Sequence, residues 1–359
     1  MKSLELNFSQ LNTRQLIALC QDEIKTSSEQ WQKDIYAFTL EWLDENLHVK
    51  AKTSGSTGKP KTIQLEKAKM IQSAKMTGKF FSLKKGNKAL LCLSPQFIAG
   101  KMMIVRAHIW QMNLICVKPD GHPLTDLNMN IDFAAMIPLQ VANSIHNNEQ
   151  INRVKTILIG GGVVDKQIND QLQDLNCHFY SSFGMTETLS HIALKSLNGA
   201  DKSNHYKALG GIKLSIDDRD CLKITAPKLL NQSITTNDIV NLVSNKEFEW
   251  LGRFDHVINS GGIKLFPEQI EEQLVSFISY PFFLIGIPDD HLGEKMILLI
   301  ESNHINEEQK KQIHAKIDSY LEKFQRPRAI YIVPKFKRTL TNKIQRKATL
   351  ISLREDGVF

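Results

Sequence analysis

The sequence predicts an α/β protein, built as a large N-terminal mixed α/β domain and a smaller C-terminal α+β domain. Three observations predict it. Short apolar runs recur along the chain, "KALLCLS", "NLICVKP", "VKTILIG", "FFLIGIP", "MILLIES" and "AIYIVP", each bounded by Gly, Pro, Asp or Asn as strands are. Helical patterns alternate with several of these runs. The character of the chain then changes near "WLGRFDHVINSGG", after which a compact stretch of about 100 residues carries its own helix and strands. We place the boundary between Arg253 and Asp255, which gives domains 1–254 and 255–359.

Each element has its own signal. The apolar runs "FFLIGI" and "MILLI" are far too short to cross a bilayer and read as buried strands. Residues 307–324 set Ile313, Ile317, Leu321 and Phe324 on one helical stripe. Asn306 is placed to cap that helix, and Glu307 and Glu308 suit the positive end of its dipole. The motif "SSFGMTETLS" follows "CHFY", which reads as a strand end.

The bulk properties exclude several classes. In 359 residues, 42% are hydrophobic and 23% charged, the balance of an ordinary globular protein. The N-terminus has no sustained apolar core after its lysine and no small-residue cleavage site, so no secretory signal is expected. Cys20, Cys92, Cys116, Cys177 and Cys221 are odd in number and widely spaced, which fits reduced thiols in a cytoplasmic protein rather than a metal knuckle. The net charge is +7, and Lys323 to Lys347 hold nine Lys or Arg and no acid. Such a stretch is a solvated basic face or a site for an anionic cosubstrate. Nucleic acid is not expected: Phe324, Tyr331 and Phe336 lie near that charge, but Tyr331 falls in the strand-like "AIYIV" and no known reading helix stands beside it.

Residues Thr53 to Lys61, "TSGSTGKPK", are built to hold phosphate. Gly55 and Gly58 let backbone N–H groups approach an anion, Ser54, Ser56 and Thr57 add hydroxyls, and Lys59 and Lys61 add charge. The spacing is not that of the common nucleotide hydrolases, whose loop needs four residues between its glycines and a hydroxyl after the lysine. On its own the stretch also fits a flexible Ser/Gly surface loop, the less favoured alternative. Further along, Glu187 beside Thr186 offers oxygen to Mg²⁺, or is part of a helix-start turn capped by Thr186. Asp238, in "TTNDIV", can accept from two ribose hydroxyls, or is a turn residue after Asn237. Arg253 offers a fork of donors, Gly261 and Gly262 before Lys264 make a second tight turn, and Lys343 is a mobile point charge within the basic stretch.

Taken in order, these segments resemble the adenylate-forming superfamily of acyl- and aryl-CoA ligases, adenylation domains and luciferases. "TSGSTGKPK" is close to that family's phosphate loop. "FGMTET" is similar to its "YGMTE", with Phe183 in the tyrosine position. "TND" stands for Thr-Gly-Asp, "GRFDHVINSGGIKLFPEQIE" nearly repeats its hinge segment, and "LTNKIQRK" resembles "TGKIxR" with Asn342 for Gly. "ILIGGGVVD" resembles the glycine turn, with Gly161 and Gly162, that packs on adenine. The resemblance runs from about Thr53 to Lys347, and five ordered motifs rarely coincide by chance.

The resemblance implies a mobile C-terminal domain turning about Asp255, with ATP, Mg²⁺ and CoA as cosubstrates. Thr53 to Lys59 would steady the β- and γ-phosphates while a carboxylate attacks the α-phosphate. Lys343 would meet the charge that builds there, with Thr186 and Glu187 beside it and Glu187 as the metal ligand. Phe183, Asp238 and Arg253 would hold the nucleoside, and Gly261, Gly262 and Lys264 would face CoA. The short stretch before the phosphate loop, and the segments "SPQFIAGKMMIVRAHIW" and "TETLSHIALKSLNG", resemble the o-succinylbenzoate–CoA ligases of menaquinone biosynthesis. In that case Phe97 and Met102 would line a ring slot, and Lys101, Arg106, Ser190, His191 and Lys195 are candidates for the acid's second carboxylate. Another aryl- or acyl-CoA ligase, or an enzyme loading a carrier-protein thiol, shares the same motifs. The oligomeric state, monomer or homodimer, stays open.

Overall fold

The computed structural model describes residues 4–52, 62–339 and 343–357. The expected phosphate loop, Thr53 to Lys61, lies outside the described residues. The chain opens with a short strand, β1 (Leu4–Asn7), and two helices, α1 (Thr13–Thr26) and α2 (Gln30–Leu43). Asn12 caps α1 in a box closed by Gln15. A two-stranded ribbon, β2 (His48–Lys52) and β3 (Thr62–Glu66), flanks the phosphate-loop segment, and α3 (Lys67–Phe80) follows.

An alternating run then builds the centre. It consists of β4 (Lys88–Leu91), α4 (Ile98–Ile109), β5 (Asn113–Cys116), β6 (Phe133–Met136), α5 (Pro138–Ser144), α6 (Asn148–Ile151), β7 (Thr156–Ile159), α7 (Lys166–Gln171) and β8 (His178–Gly184). Its five strands are parallel in the order β5-β4-β6-β7-β8. Successive residues face opposite sides, so each strand feeds two cores. Ala89, Leu91, Leu114 and Leu158 join the helices α1 to α4, while Leu90, Ile115, Ile157 and Ile159 pack with α5 and α6. The chain leaves β4 toward β5 and leaves β6 toward β7, in opposite directions. That divergence opens a crevice at the carboxyl ends of β4 and β6, where ligands of open α/β sheets bind. The loops after β7 and β8, which carry Gly161, Gly162 and Glu187, lie at the same carboxyl-end edge.

The sheet continues antiparallel through β9 (His191–Ser196), β10 (Tyr206–Ala208), β14 (Glu247–Arg253), β13 (Ile234–Ser244), β12 (Cys221–Thr225) and β11 (Lys213–Ile216), while β1 pairs with β5 at the far edge. The first 50 residues therefore complete the main sheet, and their helices cover α4: the Trp42 indole N–H donates to His108 Nδ1 at 3.1 Å.

A second sheet starts at Ile258. Its strands are β15 (Ile258–Ser260), β16 (Ile263–Leu265), β17 (Phe282–Asp289), β18 (Gly293–Glu301) and β19 (Ala329–Val333), with α8 (Pro267–Leu274), α9 (Glu307–Tyr320) and α10 (Arg346–Glu355) packed on them. All six apolar runs read as strands from the sequence are strands. Asn306 caps α9 as expected, with its side chain accepting from Gln309 N–H at 2.9 Å. The helix is shorter than the stripe implied: it ends at Tyr320, and Phe324, in a following tight turn, is 49% exposed. Leu321 alone of the last two stripe residues reaches the core.

The five cysteines are buried and unpaired. Among the described residues no helix is long and apolar enough to cross a membrane.

Candidate active site

Asp238 and Arg253 sit opposite each other because β13 and β14 are antiparallel neighbours in that register. The sequence left Asp238 open as a turn residue, yet it lies inside an 11-residue strand. Its Oδ1 accepts from the Trp250 indole N–H at 3.1 Å and lies 3.7 Å from Arg253 Nη1. Arg253 Nε in turn donates to Asp255 Oδ1 at 3.2 Å. Burial raises the pKa of Asp255, but the charges of Arg253 and His256 outweigh it and the net shift is downward. Asp238 is thus an acceptor held by one indole and one guanidinium, a geometry suited to a pair of hydroxyls.

Phe183 closes the β8 strand, which runs on through Gly184 rather than ending at Tyr180, because β9 pairs along it. Its ring sits 5.1 Å from Phe248 and 5.8 Å from Tyr206. The chain then makes a single tight helical turn, Thr186–Thr188. The Thr188 hydroxyl accepts from Met185 N–H at 3.0 Å and donates to the Ser190 carbonyl at 2.7 Å, which locks the turn. Glu187 is left exposed on it, and no described side chain pairs with its carboxylate. An exposed carboxylate on a rigid turn is an oxygen donor of the kind Mg²⁺ takes.

Lys343 is held to Thr339 by two bonds, its N–H donating to Thr339 Oγ1 at 3.1 Å and the Thr339 N–H donating to its carbonyl at 2.9 Å. The residue is exposed, yet enough protein surrounds the ammonium to lower its pKa, and the charge of Arg253 lowers it further. The Lys343 neighbours Leu340, Thr341 and Asn342 lie outside the described residues.

Three residues on, Arg346 donates to both oxygens of Glu271 at 2.7 Å and to the Leu284 carbonyl at 3.0 Å. It also approaches Glu268 Oε1 at 3.5 Å, and that oxygen is 2.5 Å from His256 Nδ1. Glu268 packs against Gly252, where φ is +152° and a Cβ would meet Glu268 Oε2 at 2.7 Å. The stretch bearing Lys343 is thereby tied through α8 to the end of the main sheet. Glu268, Glu271 and Arg346 fall within the motifs "GRFDHVINSGGIKLFPEQIE" and "LTNKIQRK", but none was marked as a site residue. Their signal was the three-residue spacing of two acids on one helix face.

Gly261 and Gly262 form the two-residue turn between β15 and β16, with φ of +58° and +82°. Both values are positive, which fits a hairpin turn that favours glycine. Lys264 follows, exposed and paired in register with Asn259.

The acid-binding candidates divide. Lys101 and Arg106 are five residues apart on α4, about 140° around the helix, so they face different neighbours. Lys101 Nζ lies 3.9 Å from the Phe38 ring centroid and 3.8 Å from Glu41 Oε2, both on α2. Met102 is fully buried in the core, and Phe97, just before α4, is 38% exposed. Lys195 lies four residues along β9 from His191, about 13 Å away. Its ammonium is 5.0 Å from the Tyr206 ring, and burial lowers its pKa against the pull of Glu272 and Glu249. Arg106, Ser190 and His191 do come together. Arg106 Nη2 donates to Ser190 Oγ at 2.7 Å, and Ser190 Oγ is 3.3 Å from His191 Nδ1. Thr77 on α3, which the sequence did not mark, completes the group, with Oγ1 3.1 Å from His191 Nε2.

Arg106 is 2% exposed, its Nε has no partner, and no described acid pairs with it. Burial lowers its pKa to about 9, so it remains a cation at neutral pH. A buried, unpaired guanidinium costs several kcal/mol, a cost an incoming anion offsets. His191 is held neutral, its pKa pushed well below the usual value by burial and then by Arg106.

The chain is 23% identical over 368 residues to the 2-succinylbenzoate–CoA ligase of Lactococcus lactis, covering 96% of this chain and 80% of that protein. It is 27% identical over 321 residues to the enzyme of the same name from Listeria monocytogenes, covering 82% and 68%. Among solved structures, it is similar to the acyl-CoA synthetase (AMP-forming)/AMP-acid ligase II-like protein of Dyadobacter fermentans, with a TM-score of 0.64, 36% identity, and coverage of 98% and 100%. It shares its fold with the O-succinylbenzoate coenzyme A synthetase of Bacillus subtilis in complex with ATP and magnesium ion, at a TM-score of 0.73, 18% identity, and coverage of 96% and 83%. Residues 25–221, more than half of the chain, match the AMP-binding enzyme family, and the chain belongs to that family.

Proposed function

We propose that the protein is an AMP-forming CoA ligase that activates o-succinylbenzoate and passes the acyl group to CoA, a step of menaquinone biosynthesis carried out in the cytoplasm. The observation that carries the substrate reading is the buried Arg106 guanidinium without an acidic partner. The substrate has two carboxylates: one reacts, and the other supplies the anion Arg106 lacks.

In the first half-reaction, the reacting carboxylate attacks the α-phosphorus of ATP and pyrophosphate leaves, giving an acyl-adenylate. Asp238 and Arg253 hold the ribose, and Phe183 with Gly161 and Gly162 borders the adenine. Thr53 to Lys59 carry the β- and γ-phosphates. Negative charge builds on the α-phosphoryl oxygens, and the Lys343 ammonium neutralises it. Glu187, with Thr186 beside it, would hold Mg²⁺, which when bound offsets phosphate charge. In the second half-reaction, the CoA thiolate attacks the acyl carbon and AMP leaves. The segment after Asp255 turns about that residue, withdrawing Lys343 and bringing Gly261, Gly262 and Lys264 to the adenylate.

A panel of aryl and aliphatic acids assayed for pyrophosphate tests this. Release that needs ATP, Mg²⁺ and o-succinylbenzoate, followed by thioester formation on free CoA, is expected. Silence with that acid, while another aryl acid reacts, ends the substrate claim. Turnover only with a pantetheinylated carrier protein favours the carrier-loading reading.

A further inference from the structure

The row from α3 to α4 has a direction that its two ends dictate. At one end the Ser73 carbonyl can only accept, and Thr77 Oγ1 donates to it at 3.1 Å. At the other end a guanidinium can only donate, and Arg106 Nη2 donates to Ser190 Oγ at 2.7 Å. With the Thr77 proton given to Ser73, the 3.1 Å contact with His191 is Nε2–H donating to Thr77 Oγ1. A neutral imidazole then has a bare Nδ1, which accepts the Ser190 hydroxyl proton across 3.3 Å. Every proton in the row thus points from Arg106 toward Ser73.

We infer that Thr77 is a positioning residue for acid recognition: it holds His191 in the Nε2–H tautomer, which turns the Ser190 hydroxyl proton away from Arg106 and presents a lone pair that pins Nη2. Ser190 then cannot donate to a substrate carboxylate. Arg106 Nε and the remaining N–H groups are the only donors the row offers. Losing the Thr77 hydroxyl strips the acceptor from Nε2, releases the tautomer, and lets the Ser190 proton rotate against Arg106. The guanidinium loses one of its few fixed points and turns. The inference rests on the proposed role of Arg106 as partner of the acid's second carboxylate.

The test uses the full-length protein. In unliganded wild type labelled with ¹⁵N-histidine, the His191 resonance is assigned by difference against His191→Gln. It is expected to report the Nε2–H tautomer, and Thr77→Val is expected to shift it toward a mixture. In turnover, Thr77→Val raises KM for o-succinylbenzoate roughly fivefold or more, leaves KM for a monocarboxylic aryl acid unchanged, and is rescued by Thr77→Ser. An Nδ1–H or doubly protonated His191 in wild type overturns the inference. So does an equal KM rise for both acids, or an unchanged diacid KM in Thr77→Val while Arg106→Met raises it. Failure of the underlying reading shows separately: Arg106→Met then leaves the diacid KM unchanged, whatever the tautomer, and the role of Thr77 falls with it.

Discussion

Arg346 lies across both carboxylate oxygens of Glu271 at 2.7 Å, and this pair fastens the stretch carrying Lys343 to α8. Both groups are withdrawn from water, so removing Arg346 leaves the Glu271 carboxylate buried with only the Leu284 N–H to answer it. Arg346→Met is expected to destabilise the protein by about 3–5 kcal/mol. Urea unfolding measures it, and Arg346→Met combined with Glu271→Leu should recover much of the loss. A single-mutant effect below about 1 kcal/mol would mean the pair contributes nothing beyond a surface bridge.

The same pair sets a pH dependence. Burial pushes the Glu271 carboxyl from its usual 4.5 up to about 7, against the pull of Arg346. The folded state therefore holds a proton that the unfolded state has released between those two values. Its contribution to stability is present below about 4.5 and is lost as pH rises through about 7. Unfolding midpoints of wild type compared with Glu271→Gln over that range should show the variant's profile flatter, with the difference growing toward neutral pH.

The proposed role of Arg106 sets stability against binding. Replacing it with methionine removes a buried, unpaired charge, so the melting temperature should stay level or rise. The KM for a dicarboxylic acid should rise roughly a hundredfold, as when one partner of a buried charge pair is truncated. Calorimetry and steady-state kinetics on one preparation read both. A large fall in stability would assign Arg106 to the fold instead.

Trp250 is placed to report on the proposed ribose site, because its indole N–H is bonded to Asp238 at 3.1 Å. Nucleotide binding should change the tryptophan emission, and the change should vanish in Trp250→Phe. Asp238→Ala should weaken ATP by about 2 kcal/mol, in the range for hydrogen bonds to a charged group. An ATP-induced signal that survives Trp250→Phe would place its source among the other tryptophans.

Lys343→Ala should abolish most pyrophosphate formation while sparing thioester formation from supplied acyl-adenylate. Stopped-flow measurement of each half-reaction separates them. Equal loss in both would refute a lysine that serves one orientation only.

Much of this molecule was legible in its residues. The strands β4, β5, β7, β17, β18 and β19 announced themselves as apolar runs between turn formers, since burial on both faces leaves no polar alternation to confuse the signal. The motifs carrying Glu187, Asp238, Arg253 and Lys343 were legible because each uses residue types that ordinary packing does not require at that spacing. Local chemistry also predicted the Asn306 cap. It could not say that Asp238 sits in a strand, since Asn-Asp favours a turn until β14 supplies the partner.

The sequence by itself determined the α/β class, the order of the motifs and the kinds of charge they bring. Only the tertiary structure decided which charges meet. Lys101 and Arg106, alike on paper, part around α4 so that one finds Glu41 and the other finds none. Thr77 reaches His191 across 114 positions of chain. Periodicity records which side of an element is buried, but a hydrogen bond or an unmet charge depends on what the neighbouring element places opposite, and that is a property of packing alone.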